Sequence, residues 1–502
     1  MGKILCAPVD FMKKILIQIV LLVSVLIFDS ACLSEYDVRS VSFRGDSTLM
    51  GMKIERFFCL EGNFIVETTG GIFEYTDGAL NIYQGLDRNN RRLLATITTP
   101  GGPDFSKVEA TDDHILLWSE QLNVGIYGDS TLILAPKTSM ELNCKGNFKP
   151  AYEGRFQGEL LLIDDLGGME IYPQRYEAGY ELKKLELGRE DWTADYLLKS
   201  GERVMIATFP GRPFDWDKSF NSNVVVTCGS VGLGEGNIYG QMPSNLVIKS
   251  WSETFQAVVM FYMGLYSANK PGGPYIVEND DEFRRFVNFS HSVNMKVMIY
   301  ASLFYWRHIN KTSTGFVDSI RQLKNEFQVD GVYIDGLTFD SGPYIIDDKI
   351  ENWQITRDLR ELFGADGFLM LHGTNLGTPV ATAPNIDTWY DIALNGENVK
   401  YSSLEDPYIK YQARKYGISN TIGIWYTGIS WYQGPKSQTP TRKQIIDKAL
   451  EINCREWWGA FVPSTTPPPR GKYIWPTELY NNYDYYLKKL SQLKTSYYKQ
   501  KK

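Results

Sequence analysis

Two different rhythms of apolar residues divide the chain. Between residues 36 and 200, short apolar or alternating runs recur, among them 64–67, 114–118 and 159–163. Turn-forming clusters separate them, such as Thr69-Gly70-Gly71, the stretch 99–103 and the stretch 165–168. Period-two runs of this length predict strands, and helical spacing is scarce there. The expectation for 36–200 is a β-sandwich. Beyond residue 200, strand-like runs at 203–209, 257–262, 296–300, 332–334, 368–373, 387–394, 421–425 and 459–462 alternate with helical patterns. The clearest helix is 316–327, where Phe316, Ile320, Leu323 and Phe327 recur at spacings of three and four and form one apolar face. Strands alternating with helices predict parallel βαβ units, and about eight can be counted. The fold expected for 201–475 is therefore a (β/α)8 TIM barrel, followed by a tail over 476–502 with a helix-like segment and a solvated lysine-rich end. A doubly wound sheet is the alternative. Gly232, Gly234 and Gly236 do not meet its phosphate-binding fingerprint, because the third glycine comes one residue early and no helix pattern follows.

The first 32 residues carry a different pattern. Met12-Lys13-Lys14 is a short basic start, 15–28 is an apolar run, and Ser30-Ala31-Cys32 places small residues before a cysteine. This is the pattern of an export signal, and the run is short for a membrane span. Its end resembles a bacterial lipoprotein processing site, although Asp29 departs from the usual aliphatic residue. The resemblance implies a periplasmic or cell-surface lipoprotein, touching membrane only through lipid on Cys32. Cys59, Cys144, Cys228 and Cys454 are too widely spaced for a metal-type pair, and the 4 histidines include no HExxH or HxH. Neither a metal nor a cofactor is expected. A net charge of −7 gives no support for nucleic-acid binding, which favours a basic face.

The chemistry centres on Val329-Asp330-Gly331-Val332-Tyr333-Ile334-Asp335-Gly336. A buried strand there ends in a carboxylate, and a glycine lets the chain turn. The carboxyl ends of barrel strands form the active face, so Asp335 is placed for catalysis; the alternative is that it caps a helix or satisfies a loop. Glycoside hydrolysis needs two carboxyl groups, one ionised and one able to deliver a proton. The later run Asp391-Ile392-Ala393-Leu394-Asn395-Gly396-Glu397 supplies Glu397, whose longer side chain suits a general acid/base, and Asp391 nearby. Further binding candidates are His372, Tyr333, Trp306, Trp389, Trp425 and Asp215. The tryptophans could offer flat faces to pyranose rings, and core packing is the competing reading for each. No Gly-x-Ser-x-Gly elbow or phosphate-cradling loop is present, which disfavours serine-hydrolase and phosphoryl-transfer chemistry.

On these residues, together with Leu371-His372-Gly373, the second half resembles bacterial (β/α)8 glycoside hydrolases of the α-galactosidase-like (melibiase-like) kind. It is also similar to glycoside-hydrolase-like lipoproteins with an N-terminal β-domain. The resemblance covers about half the chain. It implies a nucleophile on the fourth strand, falling on Asp335, and an acid/base from the sixth, falling on Glu397. α-Galactosidases precede their nucleophile with a Lys-Tyr pair, where this chain has Tyr333-Ile334. Retention and, for an N-acetylated sugar, substrate-assisted attack both stay open. The function expected is hydrolysis of polysaccharide or glycan oligosaccharides. The second reading is a surface lipoprotein that binds glycans on a barrel without turnover.

Overall fold

The computed structural model describes residues 39–42, 52–60, 63–85, 91–99, 105–156, 159–174, 180–227, 242–253, 255–260, 265–267, 272–337, 348–373, 385–391, 419–424, 442–451, 454–459 and 477–501. The expected signal over 1–32, with Cys32, lies outside them. Among the described residues, no helix is long and apolar enough to cross a membrane.

The described residues between Arg39 and Phe209 are mostly β structure, paired into antiparallel sheets of nine and eight strands. The strands Met140–Gly146 and Trp192–Leu198 bury every second residue, as strands with one solvated face should. Their inward residues, such as Leu142, Cys144, Trp192 and Tyr196, share a core with Ile115, Leu117, Leu160, Leu162 and Ile206 of the facing sheet. Cys144 is a free thiol in that core, and burial pushes its pKa up.

Strands of the eight-stranded sheet that face the barrel break this alternation. Glu159–Asp164, Gly167–Pro173 and Val204–Phe209 are buried almost throughout, because their second face meets the barrel. Leu160, Leu162, Met169 and Ile206 belong to the sandwich core, whereas Leu161, Ile163, Tyr172, Met205 and Phe209 pack into the core shared with the barrel. Val204–Phe209 differs from the sequence expectation. The run 203–209 was assigned to the barrel, yet it pairs antiparallel with Thr131–Pro136 and with Gly167–Pro173. A strand buried on both faces reads the same in a sandwich as in a parallel sheet.

Eight parallel strands then close into a barrel. In order they are Val224–Thr227, Ala257–Met260, Lys296–Ser302, Gly331–Asp335, Phe368–Gly373, Thr388–Asp391, Ser419–Ile424 and Cys454–Gly459. Pairing of the first with the eighth seals the ring. The first strand was not among the predicted runs, and the eighth lies ahead of the expected run at 459–462. Helices link several strands. Phe316–Phe327 buries Phe316, Ile320, Leu323 and Phe327, the four residues that its spacing selects. Gly331 opens the fourth strand because any Cβ would meet Phe368 O of the fifth at 1.9 Å.

The helix Lys349–Phe363 ties barrel to sandwich. Fully buried Trp353 donates its indole N–H to Asp129 Oδ2 at 2.9 Å, and Arg357 pairs with Asp113. Burial raises the pKa of Asp129, and the positive charge of Arg357 opposes that rise. The helix Thr477–Gln500 also packs inward. Tyr486 and Leu490 are buried, Tyr486 Oη donates to Asn223 Oδ1 at 3.0 Å beside the first barrel strand, and Tyr497 stacks on Trp216 at 4.7 Å.

Candidate active site

Parallel pairing sets the site before any side chain is considered. Ser302 stands in register with Asp335, and Asp335 with His372, so three polar residues form one row across the ends of adjacent strands. Alternation puts Tyr300 and Tyr333 on the same face one step lower, where their rings lie 5.8 Å apart. The fourth strand therefore delivers a carboxylate onto a floor of tyrosines.

Both oxygens of that carboxylate are engaged. His372 Nδ1 lies 2.8 Å from Oδ1, and Tyr300 Oη donates to Oδ2 at 2.5 Å. An ionised carboxylate can only accept, so His372 carries its proton on Nδ1 in this arrangement. Burial by itself would raise the pKa of Asp335. The hydrogen bond and charge of His372 and the hydroxyl of Tyr300 outweigh it, and the net shift is downward. The pKa of Tyr300 moves up, first through burial and then through the charge of Asp335. Asp335 is thus held as an anion with its side chain still 23% exposed.

More tyrosines stand behind this pair. Tyr266 Oη donates to Tyr300 O at 2.6 Å, and Tyr275 Oη accepts from Ser302 N at 2.9 Å. Their rings meet at 4.9 Å. Ser302 in turn caps the helix Leu303–Asn310, its Oγ accepting from Tyr305 N. Tyr300, Tyr266 and Tyr275 were not among the sequence candidates. The signal for Tyr300 was present, since it precedes Ser302 by two residues and so shares its face.

The other predicted residues divide sharply. His372 joins Asp335. Tyr333 is 2% exposed and packs beneath the site, its ring 6.2 Å from that of His372, so it supports the site instead of offering a surface to substrate. Trp306 is also corrected. It is 8% exposed and wedged between Tyr275 and Phe316, against Gly273, which makes it core and not a sugar platform. Asp215 is at the wrong end of the barrel. It caps the helix Trp216–Phe220, accepting from Lys218 N at 2.8 Å, and lines a cleft of about 810 Å³ with Gln256, Lys296 and Phe368. Those three residues stand at or just before strand starts, opposite the carboxyl ends that carry Asp335. Trp389 and Asp391 fall in the strand Thr388–Asp391, whose backbone pairs Trp389 with Leu371 and Asp391 with Gly373. Glu397 and Trp425 lie outside the described residues.

At the amino end of the barrel a second ionic cluster surrounds the fully buried carboxylate of Asp387. Arg360 donates to Asp387 Oδ2 at 2.7 Å, Lys218 Nζ lies 2.6 Å from Oδ1, and Leu369 N donates to Oδ2 at 2.7 Å. Burial would raise the pKa of Asp387, but the two cations hold it below the usual carboxylate value. Among the described residues its partners are structural, and it joins strand starts to the helix Lys349–Phe363.

No family model matches the chain, and no curated protein matches it. Solved structures share a general likeness. A trimodular GH5_4 subfamily endoglucanase is 14% identical with a TM-score of 0.35, over 53% of this chain and 60% of that one. A GH31 alpha-xylosidase from a soil metagenome, complexed with xylose, is 8% identical with a TM-score of 0.37, over 84% of this chain and 79% of that one. A fungal endo-beta-N-acetylglucosaminidase from glycosyl hydrolase family 18 is 13% identical with a TM-score of 0.32, over 47% of this chain and 89% of that one. The chain spans 60% of the length of the endoglucanase chain. Likenesses of this strength fix neither a family nor a reaction.

Proposed function

We propose that the protein is a glycoside hydrolase built on a (β/α)8 barrel, acting on polysaccharide or glycan oligosaccharides through Asp335 and Glu397. One observation carries the reading. Asp335, at the carboxyl end of the fourth parallel barrel strand, is kept ionised by His372 and Tyr300 while part of it stays open. Glycosidic cleavage passes through an oxocarbenium-like transition state, and an anion beside the anomeric carbon stabilises its positive charge or attacks it directly. A carboxyl group with a lowered pKa cannot supply the proton that the leaving oxygen needs near neutral pH. That role goes to a second acid, and Glu397 follows the sixth strand closely enough in sequence to take it. The melibiase-like resemblance adds the same division of roles.

The test is hydrolysis of a panel of aryl glycosides and glycans by the wild-type protein, Asp335→Asn and Glu397→Gln. Loss of roughly a thousandfold or more in kcat is expected for each variant. Equal turnover in all three proteins would remove the pair from the mechanism. Sugar binding without turnover in the wild type would favour the glycan-binding reading instead.

A further inference from the structure

The helix Leu303–Asn310 leaves the third barrel strand directly, and Phe304 N donates to Gly336 O at 3.0 Å. Its first turn is therefore pinned beside the residue that follows Asp335. Tyr305 and Ile309, four apart and so on one face of this helix, are 40% and 49% exposed. The loop that packs on the helix at Gly272, against Tyr305 O and Ile309, carries Ile276, which is 58% exposed. Single exposed apolar residues are ordinary, but a group at the mouth of a barrel asks for an occupant. The neighbouring ring of Phe304 meets Tyr305 edge-on at 5.1 Å and braces it.

A pyranose ring has one face of C–H groups and a rim of hydroxyls. It fits an exposed aromatic face that lies next to a carboxylate. We infer that Tyr305, braced by Phe304 and flanked by Ile309, is the stacking platform for a pyranose ring of the substrate, in the subsite adjoining Asp335. This rests on the glycosidase reading above and adds a binding residue to it. The proximity has an electrostatic trace as well, since burial and then the charge of Asp335 raise the pKa of the Tyr305 hydroxyl. Asp335 is hydrogen-bonded by His372 and Tyr300 and not by Tyr305, so changing Tyr305 leaves those partners in place.

The experiment uses the full chain carrying Asp335→Asn, so that sugar is not consumed, and isothermal titration with cellohexaose, xylohexaose, maltohexaose, mannohexaose and chitohexaose. Adding Tyr305→Ala should weaken binding of the recognised hexasaccharide roughly tenfold, whereas Tyr305→Phe keeps the ring and should retain it. Circular dichroism melting checks that both variants fold. Unchanged affinity in Tyr305→Ala overturns the platform and leaves the assignment of Asp335 standing. Equal loss in the alanine and phenylalanine variants also overturns it, because the hydroxyl and not the ring would then be the contact. If no hexasaccharide binds the Asp335→Asn protein, the platform and the glycosidase reading fall together.

Discussion

Tyr300 helps to hold the charge of Asp335, beside the larger hydrogen-bond and charge effects of His372. Its hydroxyl bonds the anionic form, so Tyr300→Phe removes a force that lowers the carboxyl pKa, and that pKa should climb. The acid limb of the activity profile then moves to higher pH, with the ring packing on Tyr333 intact. A profile that superimposes on the wild type would deny Tyr300 this role. Stability follows the same sign. A depressed carboxylate contributes stability above its unfolded value of 3.8, and that contribution disappears as pH falls through the lower folded value. Losing a hydrogen bond to a charged group costs about 1.5–3 kcal/mol at neutral pH, read as a lower urea midpoint. Which acids matter was legible at this scale only in part. Asp335 was visible because its strand and both flanking glycines are local signals. Asp215 was misplaced because an acid-rich loop beside a strand does not say which end of the barrel it occupies. Trp306 was misjudged because an aromatic residue in the first turn of a helix suits a core as well as a cleft.

Among the elements, the helix Lys349–Phe363 has the most to hold. Its Arg360 and the acid Asp387 form a buried ion pair, and an unmatched member would be costly. Asp387→Asn leaves Arg360 charged and half-satisfied, so chemical denaturation should show a loss of about 3–5 kcal/mol. The double replacement Arg360→Met with Asp387→Leu should recover part of that loss. Recovery stays incomplete because Leu369 N and the carbonyl of Asn385 lose their partners, and the carbonyls of Gly364 and Gly367 each lose one of two donors. A double variant no better than the single one would show that the backbone contacts, and not the charges, dominate. Element positions were well marked wherever the period was local. Phe316, Ile320, Leu323 and Phe327 fix their helix without help from the rest of the chain. Val224–Thr227 escaped because three valines in a row carry no period, and the run 203–209 was misassigned because its partners lie far away in sequence.

For the whole molecule, sandwich and barrel share one buried seam, and Trp353 fills its middle. Trp353→Ala opens a cavity and takes from Asp129 its indole donor, a loss of about 3–5 kcal/mol. Calorimetry should show one unfolding transition for the parent and two for the variant, as each half loses the support of the other. A single cooperative transition at lower temperature would mean that the remaining contacts, Arg357 with Asp113 and Gln174 with Asp348, suffice to couple them. The broad division into a β half and a βα half was readable from the change of rhythm near residue 200. The seam was not, since its residues are the ones whose second buried face has no sequence signature. The pairing of the first barrel strand with the eighth has one more consequence, in time instead of space. At synthesis rates of roughly 5–20 residues per second, about 230 residues separate the two strands, so the edge of Val224–Thr227 waits some tens of seconds for its partner. Every strand of the two antiparallel sheets, the last ending at Phe209, has been made before that interval begins.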